Sequence, residues 1–320
     1  MAAEPQVSGW RRWCWHGVYA LIIVALGAGL YGASRRVDYT WRWDRLPQYI
    51  VSTEGEDIRA PFDGFVAFSA DGKTLTVTEM KGAGTERYTG FAQVLVGQGD
   101  LVFQNDVLAR KPGIRPGPLL VGLGLTLEIS ALSLVFALLL GLVAGLGRVA
   151  HNPAARNLAA TYVEIIRGTP LLVQIFIFYF FIGTVLQLSA FAAGVAALAV
   201  FTGAYVAEIV RAGIEGVPRG QMEAARSLGM STAQAMRHVV LPQALRRMLP
   251  PLAGQFINLI KDSSLVSVMA LTDLTKAGRE VVSSTFSPFE VWFSVAALYL
   301  LLTGSLSLLV RRLERRLAHD

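Results

Sequence analysis

The stretch from Pro218 to Pro242 reads PRGQMEAARSLGMSTAQAMRHVVLP and stands between long apolar runs. Pro218 can open a helix, because the amide hydrogen it lacks would go unpaired there anyway. The helix then runs through Glu223, Ala224 and Ala225 to Gly229, a residue suited to a left-handed stop. Ser231, with Gln234 three residues on, caps a second helix. Two short amphipathic helices over 218–240 therefore interrupt the apolar sequence and form a surface that something outside the membrane can hold. Small Ala224 and Ala225, with Leu228 beside the turn, let another backbone approach, while Glu223 and Arg226 can make charge-assisted contacts. On periodicity alone, a plain interfacial hairpin lying among lipid headgroups is an equally good reading.

The rest of the chain is that of a helical membrane protein. Of 320 residues 53% are hydrophobic and 16% charged, and the mean hydropathy is +0.47. That is too apolar for a soluble domain. The lone Cys14 excludes an internal disulfide and any multi-cysteine metal site. A net charge of +6 and a pI near 9.6 do not point to nucleic acid, since the basic residues stand mostly at the ends of apolar runs, where they anchor and orient spans.

Runs of about 20 apolar residues fall at 16–32, 118–147, 160–185, 190–214, 250–270 and 289–310. The chain is expected to be an all-α polytopic protein with six transmembrane helices. With the amino terminus inside, Arg11 and Arg12, Arg148 and Arg156, then Arg219, Arg226, Arg237, Arg246 and Arg247, and finally Arg311, Arg312, Arg315 and Arg316 all lie on the cytoplasmic side. Both termini are thus expected to be cytoplasmic. The first run also has the length of a signal-peptide core, but a small-residue cleavage site is missing and an uncleaved anchor is favoured. Ser287-Pro288-Phe289-Glu290 marks the start of the last helix by a cap, a proline and a following Glu.

Between Val51 and Arg110 the pattern changes to short alternating runs divided by Asp63-Gly64, Asp71-Gly72 and Gly99-Asp100, the signature of a small β domain. The segments Ile58 to Val66 and Val96 to Leu108 resemble the half-motifs of biotinyl/lipoyl-like barrel-sandwich domains. Lys81 stands between those halves rather than at a central hairpin, so it is read as an exposed turn lysine and no cofactor is expected. The expected organisation is an anchor at 1–32, an extracytoplasmic insert at 33–117 and a membrane domain at 118–316.

Glu-Ala-Ala at 223–225, Gly229, Val239 and Leu241-Pro242 together resemble the coupling signature of ABC importer permeases. Further matches are Arg167 to Gln174 (RGTPLLVQ), Ala204 to Gly213 (AYVAEIVRAG) and Lys261 to Leu265 (KDSSL). These are similar to the polar amino-acid branch of the binding-protein-dependent permeases over about 118–316. Tyr39 to Tyr49 resembles the short segment that precedes the first core span in that branch. The extra amino-terminal span and the β insert depart from the pattern. One added span before a five-span core with its amino terminus outside keeps the parity that the arginines suggest.

The resemblance implies a permease of the bacterial inner membrane that works with a second permease subunit, identical or related, and two cytosolic ATPases gripping Glu223 to Gly229. An extracytoplasmic binding protein would deliver an amino acid. ATP would be used by the partner, because the chain lacks a Gly-rich phosphate loop of its own. No catalytic residue or metal ligand is expected; His16, His151, His238 and His319 stand beside no nucleophile or metal cluster.

A charge near the bilayer centre costs at least about 2.5–3.5 kcal/mol. Glu128, Lys261 and Asp262 each lie about 15 Å into their runs, near the midplane of a roughly 30 Å core. Either an ion pair of Lys261 with Glu128 or Asp262 locks helices together, or these groups line a path for a zwitterion with Thr169, Gln174, Ser263 and Ser264. Thr126 also offers a hydrogen bond, to solute or to a neighbouring helix. Gly168-Thr169-Pro170 breaks the third run, as a kink or as a solute-binding discontinuity. Glu164 with Arg167 and Glu208 with Arg211 are placed nearer the cytoplasmic ends, as structural pairs or gate contacts. Two further readings stand beside the importer: an ion-coupled secondary transporter using Glu128, Lys261 and Asp262, and a membrane-anchored assembly protein acting through the β domain.

Overall fold

The computed structural model describes residues 9–36, 39–52, 55, 57–80, 82 and 84–317. Lys81 and His319 lie outside the described residues. The chain forms two compact units, Met1–Trp43 and Asp44–Asp320.

The first unit is built on α1 (Gly9–Arg36). Its apolar stretch is buried nowhere against protein, as suits a helix that is hydrophobic all round and surrounded by lipid. Beyond it Tyr39 meets Trp41 edge-on at 5.4 Å, and Trp41 stacks on Trp43 at 5.5 Å.

The second unit opens with α2 (Leu46–Ile50) and a set of short strands: β1 (Val51–Ser52), β2 (Asp57–Arg59), β3 (Gly64–Phe68), β4 (Thr74–Glu79), β5 (Thr85–Thr89), β6 (Gln93–Val94), β7 (Leu101–Val102), β8 (Val107–Arg110) and β9 (Arg115–Pro116). One sheet runs in the order β5-β4-β3-β7 and another β2-β8-β6, with all pairs antiparallel. Alternation along the strands sends Val66, Leu75, Val77 and Val102 inward from the first sheet to meet Ile58, Leu108 and Ala109 from the second in one core. The turns at Gly72 and Gly99 take φ of +67° and +84°, the left-handed region in which glycine carries no Cβ penalty. A two-residue ladder, Val51 with Pro116 and Ser52 with Arg115, closes the neck of this β module. Gly117 N–H then donates to Ile50 O at 2.7 Å, and the first long helix starts at once with Pro118.

That helix is α3 (Pro118–Arg148), followed by α4 (Pro153–Arg167), α5 (Leu171–Phe176), a π-helical segment Ile177–Ile182, α6 (Gly183–Val185) and α7 (Ala190–Glu215). Then come α8 (Arg219–Ser227), α9 (Thr232–Ala235), a π-helical turn Met236–Val240, α10 (Leu241–Asp262), a 3-10 turn Ser263–Val268, α11 (Leu274–Thr285) and α12 (Pro288–Leu317). Polar caps fix several starts. Asn152 Oδ1 accepts from Ala154 N–H at 2.9 Å, Ser189 Oγ from Ala192 N–H at 3.2 Å, and the Asp273 carboxylate from Thr275 and Lys276 N–H at 3.0 Å each. α12 begins at Pro288, as its Ser-Pro start predicts.

Among the described residues four helices are long and apolar enough to cross a membrane: α1, α3, α7 and α12. α4 and the helix from Leu171 to Val185 count as a fifth if the pair is one span, but they meet at 103°. The run expected at 160–185 is thus two segments. The run expected at 250–270 falls on the second half of α10 and the 3-10 turn after it. α10 carries Arg246, Arg247, Lys261 and Asp262 besides Pro250 and Pro251, so it is amphipathic rather than apolar throughout.

α3 and α7 form the principal pair. They approach through small residues, as helices do where no water drives them together. A Cβ on Gly141 would lie 2.4 Å from Val206 Cγ1 and 2.8 Å from Gly203 O; one on Gly145 would lie 2.5 Å from Val210 Cβ and 2.8 Å from Ala207 O. Nearer its amino-terminal end α3 meets α11, where buried Thr126 Oγ1 accepts from Leu274 N–H at 3.1 Å, a packing contact between helices. Ile129, Ile175, Leu198, Leu259 and Val266 close the centre of the bundle.

Gly141→Ala is expected to lower stability by about 1–3 kcal/mol through overpacking against backbone. Gly124→Ala, where the new Cβ meets nothing within 4 Å, is expected to be neutral or to stabilise by up to about 1 kcal/mol through helix propensity. Opposite shifts of the thermal midpoint in detergent check the pair.

Candidate functional site

α8 is short and sided. Pro218 stands just before it with extended backbone, and the helix itself begins at Arg219. Ala225 is 4% exposed and faces the protein with Met222, Val217, Val240 and Ala244. Glu223, Ala224 and Arg226 face outward, and Leu228 is 82% exposed. Of the two small alanines only Ala224 is therefore open to a visitor. The stop has Schellman geometry: Met230 N–H reaches Ala225 O at 3.2 Å and Gly229 N–H reaches Arg226 O at 3.0 Å. Gly229 takes φ of +86° with nothing within 4 Å of a Cβ position.

Ser231 makes the expected reciprocal cap, its N–H donating to Gln234 Oε1 at 2.8 Å and its Oγ accepting from Gln234 N–H at 3.3 Å. The helix it opens is not a separate short one, as the sequence suggested. α9 runs through the π-helical turn into α10. Pro242 has no N–H to give His238 O, and the wider turn at Met236–Val240 absorbs that loss. Gln243 Nε2 then donates to Val239 O at 3.0 Å and across to Gln221 Oε1 on α8 at 3.1 Å. One turn on, Arg247 donates to Gly216 O at the end of α7. α8 is thereby held to the foot of a long helix at both of its approaches.

At the break between α4 and α5, Pro170 lacks the N–H that would bond to Ile166 O. Gln174, 4% exposed, supplies it instead: its Nε2 lies 2.7 Å from Ile166 O and 2.7 Å from Thr169 Oγ1. Thr169 Oγ1 donates to Ile165 O at 3.0 Å. Thr169 and Gln174, expected along the substrate path, are thus engaged in holding the bend. The discontinuity is far larger than a kink; the Ile165, Ile166 and Thr169 carbonyls accept side-chain hydrogen bonds there, while the Gln174 side-chain oxygen is buried without a partner among the described residues.

Neither midplane ion pair forms among the described residues. Glu128 on α3 and Lys261 on α10 are exposed on the surface of the chain, Asp262 and Ser264 are half-buried, and Ser263 is buried with its hydroxyl on Ile260 O at 2.8 Å. In place of those pairs the charges meet near the α8 end of the bundle. Glu208 on α7 bonds tightly to Arg211 one turn later and lies 3.8 Å from Arg148 and 3.9 Å from Arg167, the last residues of α3 and α4. Arg211 also pairs with Glu215, and the Arg167 guanidinium sits over the Tyr205 ring at 5.2 Å. Glu164, the expected partner of Arg167, is exposed.

Arg167, Tyr205 and Glu208 form one wall of a cavity of about 480 Å³ whose other wall is α10, with Arg247, Gln255 and Asn258. Sequence reasoning did not assemble this cavity. The signal present was the three-residue spacing of Glu208 and Arg211; nothing local pointed to the two helix-end arginines.

The profile of the family described as binding-protein-dependent transport system inner membrane component matches residues 137–319. The glutamine transport system permease protein GlnP of Escherichia coli strain K12 is 42% identical over 204 residues, 62% of this chain and 93% of that protein. The probable glutamine ABC transporter permease protein GlnM of Bacillus subtilis strain 168 is 45% identical over 193 residues, 60% of this chain and 89% of that protein. A crystal structure of an amino acid ABC transporter with histidines superposes with a TM-score of 0.58 at 42% identity, over 62% of this chain and 94% of the other. An inward-facing MetNI methionine ABC transporter, at 22% identity and a TM-score of 0.56, shares the fold over 62% of this chain. These relatives favour the ABC importer over the ion-coupled transporter, and they are permease subunits rather than enzymes. The chain belongs to the family of binding-protein-dependent transport system inner membrane components, the permease subunits of ABC importers.

Proposed function

We propose that the chain is one permease subunit of an ATP-driven importer that carries a polar amino acid across a bacterial inner membrane by alternating access. The observation that carries this reading is α8: it is seated on the foot of α10 and presents Glu223, Arg226 and Leu228 outward beside the glycine stop. That is a handle fixed to a long helix. Two cytosolic ATPases would grip it, a second permease subunit would complete the pore, and an extracytoplasmic binding protein would deliver the solute. ATP is consumed on the partners. The substrate class rests on relatives named for glutamine and, in the L-cystine permease TcyB of Bacillus subtilis strain 168 at 39% identity, for cystine.

In this reading α10 crosses the membrane beside its apolar neighbours, making six spans with both termini cytoplasmic. The β module at 51–110, within the 33–117 insert, then stands outside as a docking or structural element. Glu128 and Lys261, exposed on the isolated chain, face a water-lined path or the second subunit together with Asp262, Ser263 and Ser264.

Gly229→Trp is expected to leave the protein in the membrane, since the chain itself has room for the side chain, but to uncouple L-glutamine uptake from ATP hydrolysis in proteoliposomes. Gly229→Ala brings the backbone penalty of about 1 kcal/mol without the bulk and is expected to keep coupling. Normal uptake by Gly229→Trp would contradict the handle. Lys261→Ala is expected to reduce uptake well beyond any loss of expression; equal losses would instead mark a structural lysine.

A further inference from the structure

We propose that Glu208 is a positioning residue for transport: its carboxylate latches Arg167, and so the α4–α5 bend, to the α8 end of the bundle, and release of that latch opens this end. The inference rests on the importer reading and adds to it a residue that sets the closed state.

One carboxylate here faces three guanidiniums from three elements. Arg211, on the same helix, closes a tight pair and is also shared with Glu215. Arg148 and Arg167 stand 3.8 and 3.9 Å away, beyond the reach of a good hydrogen bond. They are held by charge alone and can part from Glu208 without breaking a directed bond. Arg167 has a second hold on the Tyr205 ring, also on α7, and a cation over an aromatic face slides at little cost. It is the last residue of α4, immediately before the 103° bend. Release of its head from α7 therefore frees the end of α4 at which the chain turns into α5.

The space for such a release is present. The open cavity of about 480 Å³ lies against Arg167 and Glu208 and is lined on its other side by α10. Pro250 and Pro251 lie inside that helix and remove the amides that would bond to Arg246 O and Arg247 O. Arg167 lies three residues before Pro170, and Pro251 itself lines the α10 side of the cavity, so the Glu208 cluster has a proline on each flank. A purely structural staple would need no open cavity beside it.

The test uses the permease reconstituted with its ATPase and binding protein, with L-glutamine as the solute. Glu208→Gln is expected to keep ATP hydrolysis while raising the ATP consumed per glutamine imported about tenfold, and Glu208→Asp to restore the ratio to within about twofold of wild type. An unchanged ratio in Glu208→Gln overturns the proposal, and so does an Asp variant as defective as the Gln variant. Should Glu208→Gln fail to assemble, Arg167→Gln decides: the same rise supports the latch, a wild-type ratio sinks it. A second readout needs no solute. In a Cys14→Ser background, Leu172→Cys just beyond the bend is labelled with a charged maleimide, and Glu208→Gln is expected to speed labelling about fivefold; equal rates overturn the proposal. A reporter that responds in a complex importing no amino acid upholds the latch and places the failure with the importer reading.

Discussion

Inside a bilayer a backbone carbonyl has no water to turn to, so every interruption of a helix must be closed by the protein itself. Two proline breaks show how the structure answers the loss of an amide, beside the membrane as well as within it. Pro170 removes one amide hydrogen, and the Gln174 side chain takes over the abandoned Ile166 carbonyl. Pro242 removes another, and a π-helical turn with Gln243 on Val239 O absorbs it. In each case the residue that repairs the break also ties two segments: Gln174 joins the arms of the bend, and Gln243 reaches across to Gln221 on α8. The repairs are what give the breaks a defined shape.

The same economy explains the seating of the coupling element. A nine-residue helix has little stability alone, yet α8 is stopped by a left-handed glycine, buried on one side against α7 and α10, and bonded at Gln221. The foot of α10 rises directly from the turn after it. In the proposed importer a displacement of α8 is carried to a long helix that passes the cavity, and through Arg247 on Gly216 O to the end of α7. The apolar cluster of Val206, Val210, Val217, Val240 and Met248 fills the angle between them.

Charge is arranged by the same logic of scarcity. Glu128 and Lys261 do not neutralise each other within the chain, while the arginines that end α3 and α4 converge on Glu208. Cations at helix carboxyl ends are favoured by the helix dipole. One acidic residue on the neighbouring helix is then enough to gather them.

Much of this was legible beforehand. The long apolar helices, the alternation and turns of the β module, the Gly229 stop, the Ser231 and Gln234 cap and the break at Gly168 to Pro170 follow from rules that act over a few residues: apolar periodicity, the glycine preference for positive φ, the amide that proline lacks. The merging of α9 into α10 was not legible, because a cap marks where a helix begins and says nothing of where it ends. Nor were the engagement of Thr169 and Gln174 by the bend, the inward face of Ala225, the separation of Glu128 from Lys261, or the meeting of Arg148, Arg167 and Glu208 around a cavity. Those depend on which faces of α3, α4, α7 and α10 turn toward one another. That choice is set by how closely glycines and alanines on α3 and α7 let two backbones approach, a property of the packed pair. The sequence by itself determined the class of the protein, its apolar runs and the amphipathic helical stretch between them; tertiary packing alone decided which polar groups remain available, because contacts between helices distant in the chain leave no local spacing to read.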